Sequence, residues 1–507
     1  MRPTPAAPTA APPGRAARDE AEARLVVGPF NRVEGDLEVR LTTAGGRVRR
    51  AEVVASMYRG FENMLVGRDP RDALVIVPRI CGICSVSQSV AAARALAALA
   101  GQAPPANGAL AVNLMLACEN LADHLTHFYV FFMPDFARPC YAERPWFAAV
   151  HERFAALSGR HARAALAARQ RWFTMLGTLG GKWPHTHSVQ PGGSSRALDA
   201  SERTRLLARV REFRAFLEET LFAAPLEEVT ALASLQALDA WHARDPQRGD
   251  LRLFLTLAAE LELATLGRGP GRYLSHGAFV GPAGQPALAQ GLFDAAGGTV
   301  RPVPLEQVRE DATFAWLAGD AADARHPHQG QTVPQVDKPG AYTWNKAPRL
   351  QGQVVETGAL ARQLVHGNPL LRELVARRGS GVLARVLARL YELAQVTPWV
   401  EHWLAELRPG EPFHSPARLP TEGQAAGLAE AARGALGHWV TVRQGRIANY
   451  QIVSPTSWNF SPRDGAGTPG ALEAALVGTP VAEGDSTPVA VQHVVRSFDP
   501  CMVCTVH

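Results

Sequence analysis

The chain has 507 residues, 52 Lys+Arg against 47 Asp+Glu, six Cys and 47% apolar residues. That length supplies a large buried core, and 20% charged residues with both signs mixed exclude a mostly disordered chain. A net charge of +5 without a compact Lys/Arg cluster interleaved with aromatics excludes a nucleic-acid binder, and six Cys are too sparse for a disulfide scaffold.

Residues 1–24, rich in Pro and Ala, read as a flexible tail; they lack the apolar core of a secretory signal. No stretch reaches the ~20 apolar residues that cross a bilayer, so a cytoplasmic protein is expected. A single domain is expected over 25–507. Alternation around Leu37-Glu38-Val39-Arg40-Leu41 places a hairpin-like strand region over 24–55. Ala/Leu/Arg-rich periodicity then predicts helices over 85–101, 107–132, 145–179, 201–221, 250–266 and 369–407. Several exceed the ~11–12 residues of an average helix, which suggests a long-helix bundle. Residues 267–345 are Gly/Pro-rich, with a strand-like piece at 273–280. Alternation returns at 439–453, and 489–495 reads as a last strand. The fold class is therefore α+β and predominantly helical, a long-helix bundle flanked by small sheets from the N- and C-terminal segments, which are expected to meet.

Four Cys fall in two CxxC pairs, Cys81-Gly82-Ile83-Cys84 and Cys501-Met502-Val503-Cys504. A thioredoxin-like dithiol lacks its βαβ context here, and a zinc ribbon sets its pairs about 15–20 residues apart rather than at opposite ends of a chain. Structural cysteines without metal are a third reading. The fourth is a thiolate-lined centre between the first helix and the last residues, with soft ligands suited to nickel, iron or copper(I). A helix N-terminus after Cys84 favours the thiolate there. Cys118 and Cys140 have no such partner and read as buried apolar filler.

The order of blocks resembles the large subunit of nickel–iron hydrogenases over nearly the whole chain. The blocks are Asn31-Arg32-Val33-Glu34-Gly35, Arg59-Gly60-Phe61-Glu62, residues 67–72 and 79–84, Asp123-His124-Leu125-Thr126-His127, residues 180–185 and 346–349, Arg433-Gly434-Ala435-Leu436-Gly437-His438, Ser454-Pro455-Thr456-Ser457, and residues 499–507.

The resemblance implies that Cys81, Cys84, Cys501 and Cys504 hold nickel, with Cys84 and Cys504 bridging to an iron that carries CO and two cyanides. It assigns Glu34 to proton relay, against a turn-forming surface Glu. Arg433 lies over the vacant metal position with Asp123 and Asp499 fixing its fork, against an ordinary buried ion pair. Thr456 donates to a cyanide, with Pro455 beside it. Glu62, the carbonyl of Ile452 and His507 match a site for magnesium or another divalent cation such as iron. Ala432 departs from the family's common Pro. His124, His127, His185 and His187 read as core hydrogen-bonding residues rather than ligands.

Three departures resemble the H2-sensing regulatory branch. Gln88 stands where respiratory enzymes usually carry His. The chain ends at His507, from which no C-terminal processing is expected. Ile83 and Phe131 are bulky at gas-channel positions, which would slow O2 more than H2. The resemblance further implies an iron–sulfur small subunit as partner, a histidine kinase downstream, and heterodimers that pair further. A respiratory uptake enzyme feeding a membrane cytochrome is the rival reading, and a non-catalytic structural relative is a third.

Overall fold

The computed structural model describes residues 22–281 and 284–505. Most of the expected tail, and His507, lie outside them. The first strand starts at Ala23, two residues before the expected domain boundary.

Three strands, Ala23–Val27, Leu37–Ala44 and Arg47–Ala55, form an antiparallel sheet in chain order. A second three-stranded antiparallel sheet, Gly423–Ala431, Gly434–Arg443 and Arg446–Val453, closes the C-terminal half. The two do not share a ladder. The chain's ends meet instead through backbone bridges: Met502 N–H donates to Glu34 C=O at 2.7 Å, and Val48 N–H to Thr479 C=O at 3.0 Å. A third sheet, Arg272–Val280, Pro286–Asp294 and Thr299–Arg301, organises the Gly/Pro-rich middle.

The helix Ser85–Leu99 lies on the C-terminal sheet because its residues are small. A Cβ on Gly427 would meet Ala91 O at 1.9 Å and Ala95 N at 2.3 Å, so backbone touches backbone there. The helix Ala106–Thr126 packs beside it and widens into a π-helical turn at His127–Phe132. The longest helix, Val382–Glu406, is buried along much of its length.

Several expected elements are corrected. The helix over 145–179 is two, Phe147–Phe154 and Arg160–Gly180, broken where Leu157 takes φ 66°. The helix over 369–407 splits into Pro369–Arg378 and Val382–Glu406 at Gly379, φ 85°, where a Cβ on Gly381 would meet Ala264 O at 2.2 Å. The helix from Asp250 stops at Glu260 rather than 266. The strand expected at 489–495 is the helix Val489–Ser497. Its β-branched residues suggest a strand, yet Val491, Val494, Val495 and Phe498 recur at helical spacing and are all buried.

Candidate metal centre

The first CxxC pair follows a 3₁₀ turn, Val77–Ile80, and Cys84 is the residue immediately before the helix Ser85–Leu99. The second pair spans another 3₁₀ turn, Met502–Cys504, entered through Asp499 at φ 57°. Chain ends separated by 420 residues thus bring four sulfurs together. Cys81 and Cys501 Sγ are 3.4 Å apart, Cys84 and Cys504 3.2 Å, and Cys501 and Cys504 3.2 Å. All four lie within 4.8 Å of one another, are buried and form no disulfide. Among the described residues they are the one such group of potential His, Cys, Asp or Glu ligands.

This donor set fits a soft cation. Four sulfurs so close and so dry cannot all ionise unaided. Burial opposes charge at Cys81, but hydrogen bonds from Cys501, Cys504 and Cys84, with the Arg433 guanidinium, hold its thiol well below the usual range. The N–H groups of Ile83 and Cys84 also point at its sulfur, at 3.3 and 3.4 Å. Hydrogen bonding to the other sulfurs, then burial, pushes Cys84 well up, and burial does the same to Cys501. Of these thiols, Cys81 is the one held low, while Cys84, at the helix N-terminus, is pushed up.

Glu34 is half-buried and linked to Cys501 through a parallel bridge. Burial and then the Cys81 thiolate raise its carboxyl above the ordinary range, against Arg433 and Arg59. Its loop is pinned from two sides. Arg496 donates to Asn31 C=O at 3.0 Å and Oδ1 at 2.8 Å, while Arg32 pairs with the buried Asp135 and donates to Phe131 C=O at 3.0 Å.

Arg433 is buried. Its guanidinium contacts Asp123 at 2.7 and 3.2 Å, Asp499 Oδ1 at 3.1 Å and Asp499 C=O at 3.0 Å. The thiols of Cys501 and Cys84 lie within its electrostatic reach. Thr456 Oγ1 accepts the Cys501 N–H at 3.3 Å, which leaves its own O–H free to donate. Pro455 opens the short helix Pro455–Asn459, capped by Ser454.

The structure adds contacts that the sequence does not show. Arg59 donates to Ile80 C=O at 2.5 Å and to Val503 C=O at 2.6 Å, tying the two cysteine segments together. Its place beside Glu62 in the Arg59-Gly60-Phe61-Glu62 segment is the signal the sequence offers. Gln88 Oε1 pairs with His438 Nε2 at 2.8 Å, and His438 Nδ1 with Tyr450 Oη at 2.8 Å. Glu119 accepts the N–H groups of Val86 and Ser87 at 2.7 and 2.9 Å, capping the helix that Cys84 starts.

Burial raises Glu119 to about 8, despite those hydrogen bonds. Because this folded value lies above the ordinary 4.5, Glu119 contributes stability that is complete below about pH 4.5 and lost as pH climbs to about 8. Glu119→Gln carries no such charge. The difference in unfolding free energy between variant and wild type should therefore shift toward the variant from pH 5 to 8, by roughly 1–3 kcal/mol. Parallel denaturant titrations at the two pH values check this; a constant difference contradicts it.

Glu62, in the short helix Phe61–Leu65, accepts Ile452 N–H at 2.8 Å and the Thr332 hydroxyl, with Lys346 Nζ at 3.6 Å. Glu62, Lys346, Ile452 and Thr505 line one small cavity. The Glu62 carboxylate suits a hard cation, and the Lys346 ammonium shares the cavity with it. The third expected ligand, His507, lies outside the described residues.

His124 pairs with Glu392, His127 with Arg496 C=O and His185 with Pro78 C=O. His187 is exposed instead of core, and Cys140 is exposed where filler was expected; Cys118 is buried. Ile83 and Phe131 are both half-buried.

A family model described as nickel-dependent hydrogenase matches residues 59–145 and 250–507. The periplasmic nickel–iron–selenium hydrogenase large subunit of Desulfomicrobium baculatum is 30% identical, across 96% of this chain and 95% of that one. The uptake hydrogenase large subunit of Rubrivivax gelatinosus is 26% identical, across 96% of each. The solved structure of the reduced Ni-Fe-Se hydrogenase from Desulfovibrio vulgaris Hildenborough superposes with a TM-score of 0.82 at 29% identity, covering 96% of this chain and 100% of that one. The α+β architecture, the four gathered sulfurs and these matches lead to one assignment: the chain belongs to the nickel-dependent hydrogenase family, as the large subunit of a nickel–iron hydrogenase.

Proposed function

We propose that this chain cleaves H2 heterolytically at the four-cysteine centre and, within the family, serves as a cytoplasmic H2 sensor that signals to a histidine kinase. The observation that carries the first part is the set of four buried, unbridged sulfurs with Glu34 and Arg433 around it. Cys81, Cys84, Cys501 and Cys504 would hold nickel, and Cys84 with Cys504 would also hold an iron that carries CO and two cyanides. These metals, when bound, supply the Lewis-acid and redox chemistry that divides H2 into two protons and two electrons.

The chain's own residues do the rest. The Glu34 carboxylate, kept beside Cys501 by its backbone bridge, takes a proton at an oxygen and passes it outward. Arg433 keeps a fixed positive charge over the centre, held in orientation by Asp123 and Asp499. Thr456 would offer its O–H to a cyanide, with Pro455 beside it. Glu62, the Ile452 carbonyl and His507 are the residues that would hold a magnesium or similar ion. Electrons leave to the clusters of an iron–sulfur small subunit, since beyond the four ligands only Cys118 and Cys140 remain.

The sensor reading draws on Gln88 and on the bulk of Ile83 and Phe131. The uptake reading is favoured by relatives that carry that name, the Rubrivivax protein among them. Infrared spectra of the heterodimer purified in air decide between them. Diatomic bands that shift promptly under H2 support the sensor, whereas bands locked until prolonged reduction support the uptake enzyme. No helix among the described residues is long and apolar enough to cross a membrane.

Narrowing the gas path is the physical content of Ile83 and Phe131. The double variant Ile83→Val, Phe131→Leu should show O2 inhibition at least about tenfold stronger, with H2 turnover within about twofold of wild type. Amperometric H2 oxidation with O2 pulses measures it. Unchanged inhibition removes these two residues from the gas path.

A further inference from the structure

Arg433 sits in a two-residue connection. Ala431 pairs with Gly434 across the hairpin, leaving Ala432 and Arg433 at its tip. A tip so short has few contacts of its own, and its direction depends on what grips the backbone on either side.

The grip comes from one segment. A Cβ on Gly434 would meet Gly358 N at 2.4 Å, so the chain at Gly358 backs directly onto the hairpin. One turn later, in the helix Ala359–His366, the Arg362 side chain reaches the same hairpin from its other end. It donates to Ala431 C=O at 2.8 Å and to Ala432 C=O at 3.1 Å. Its remaining contacts are Glu430 Oε2 at 2.8 Å and both oxygens of Glu392, at 2.9 and 2.7 Å. These five contacts match the guanidinium's five N–H donors, and Arg362 is only 1% exposed.

Glu392 also accepts from His124 Nε2 at 2.9 Å. His124 follows Asp123, the carboxylate that receives two bonds from Arg433. Both ends of the Arg433–Asp123 pair are therefore anchored to one buried carboxylate. Glu392 holds the hairpin through Arg362 and the Asp123 helix turn through His124. The circuit is closed, and of its members Arg433 and Asp123 reach the cysteines through their fields.

We propose that Arg362, seated on Glu392 and Glu430, is a positioning residue that aims Arg433 at the metal centre, and that His124 aligns Asp123 from the same anchor. The proposal rests on the reading of Arg433 given above. A lysine at 362 keeps the charge but cannot span five acceptors in two directions.

The test uses the metal-loaded heterodimer with Arg362→Lys, Arg433→Lys and both together, followed by H2 turnover and by amide exchange of the peptide covering residues 428–436. Arg362→Lys should lower turnover about tenfold in the wild-type background and less than about twofold in the Arg433→Lys background. It should also speed exchange in that peptide, which Arg433→Lys leaves unchanged. Equal losses in both backgrounds, or unaltered exchange, overturn the proposal. Wild-type turnover in Arg433→Lys alone removes the underlying reading instead, and the exchange result still judges the grip. If Arg362→Lys fails to accumulate folded, Glu392→Gln provides the same comparison with the same direction of effect.

Discussion

Cys84→Ser will yield a folded chain that retains less than one tenth of an equivalent of nickel and loses H2 oxidation by at least about 10³-fold. The substitution removes little volume, so packing alone predicts almost no change. The loss comes from ligand chemistry. A serine hydroxyl is a harder ligand than thiolate and hardly ionises, whereas a soft thiolate both binds nickel and bridges to iron. Cys84 Sγ is 3.2 Å from Cys504 Sγ, so the change removes one side of the closest pair linking the chain's two ends. Fold survives because the metal-free cluster already carries thiols that burial and neighbouring sulfurs keep protonated. Elemental analysis of the purified heterodimer beside H2 oxidation checks it. Full nickel occupancy with normal turnover would remove Cys84 from the ligand set.

The site was far more legible in the sequence than the fold that holds it. Two CxxC pairs narrow the chemistry to a few readings, and the resemblance carried by an ordered series of blocks implies the metal and singles out Glu34, Arg433 and Glu62. Arg362, Glu392 and Glu119 carry no such mark. Each is a charged residue within a helix, and in sequence a buried charge looks like a solvated one. Their meaning exists only once Arg362 meets hairpin carbonyls seventy residues away, or Glu119 meets the free N–H groups after Cys84. The helix Val489–Ser497 differs from its strand-like sequence for a related reason. Its valines favour a strand locally, and the burial of one face decides otherwise.

The same contrast explains why the centre is built from chain ends. Cysteine pairs on short 3₁₀ turns hold little structure of their own. Arg59 joins the two by main-chain carbonyls, and Glu34 joins the first sheet's loop to Cys501. Each contact is backbone-directed, so sulfur positions are set by segments whose own side chains remain available for chemistry. A ligand set held this way has its sulfur positions fixed by backbone contacts.

Glu34→Gln should retain nickel and the diatomic infrared bands while losing about 10²–10⁴-fold in H2 oxidation, the range typical of a missing general base. Shape is preserved: the backbone bridge to Cys501 does not involve the side chain, and an amide fills the same half-buried space. What disappears is an oxygen that can take and release a proton. The pH profile separates this from mere disturbance. Burial and the Cys81 thiolate raise the Glu34 carboxyl above the ordinary 4.5, so a proton binds it more readily than an ordinary Glu. As pH falls, the wild-type carboxylate becomes occupied and H2 oxidation declines along a limb lying above the ordinary Glu range. Glu34→Gln has no group to titrate, so its residual rate should lack that limb. Glu34→Asp, one methylene short, should restore part of the rate together with the limb. A Gln variant that keeps both the rate and the acid limb places the proton's first stop elsewhere; one that loses rate and limb together while its bands stay unchanged assigns that stop to the Glu34 carboxylate.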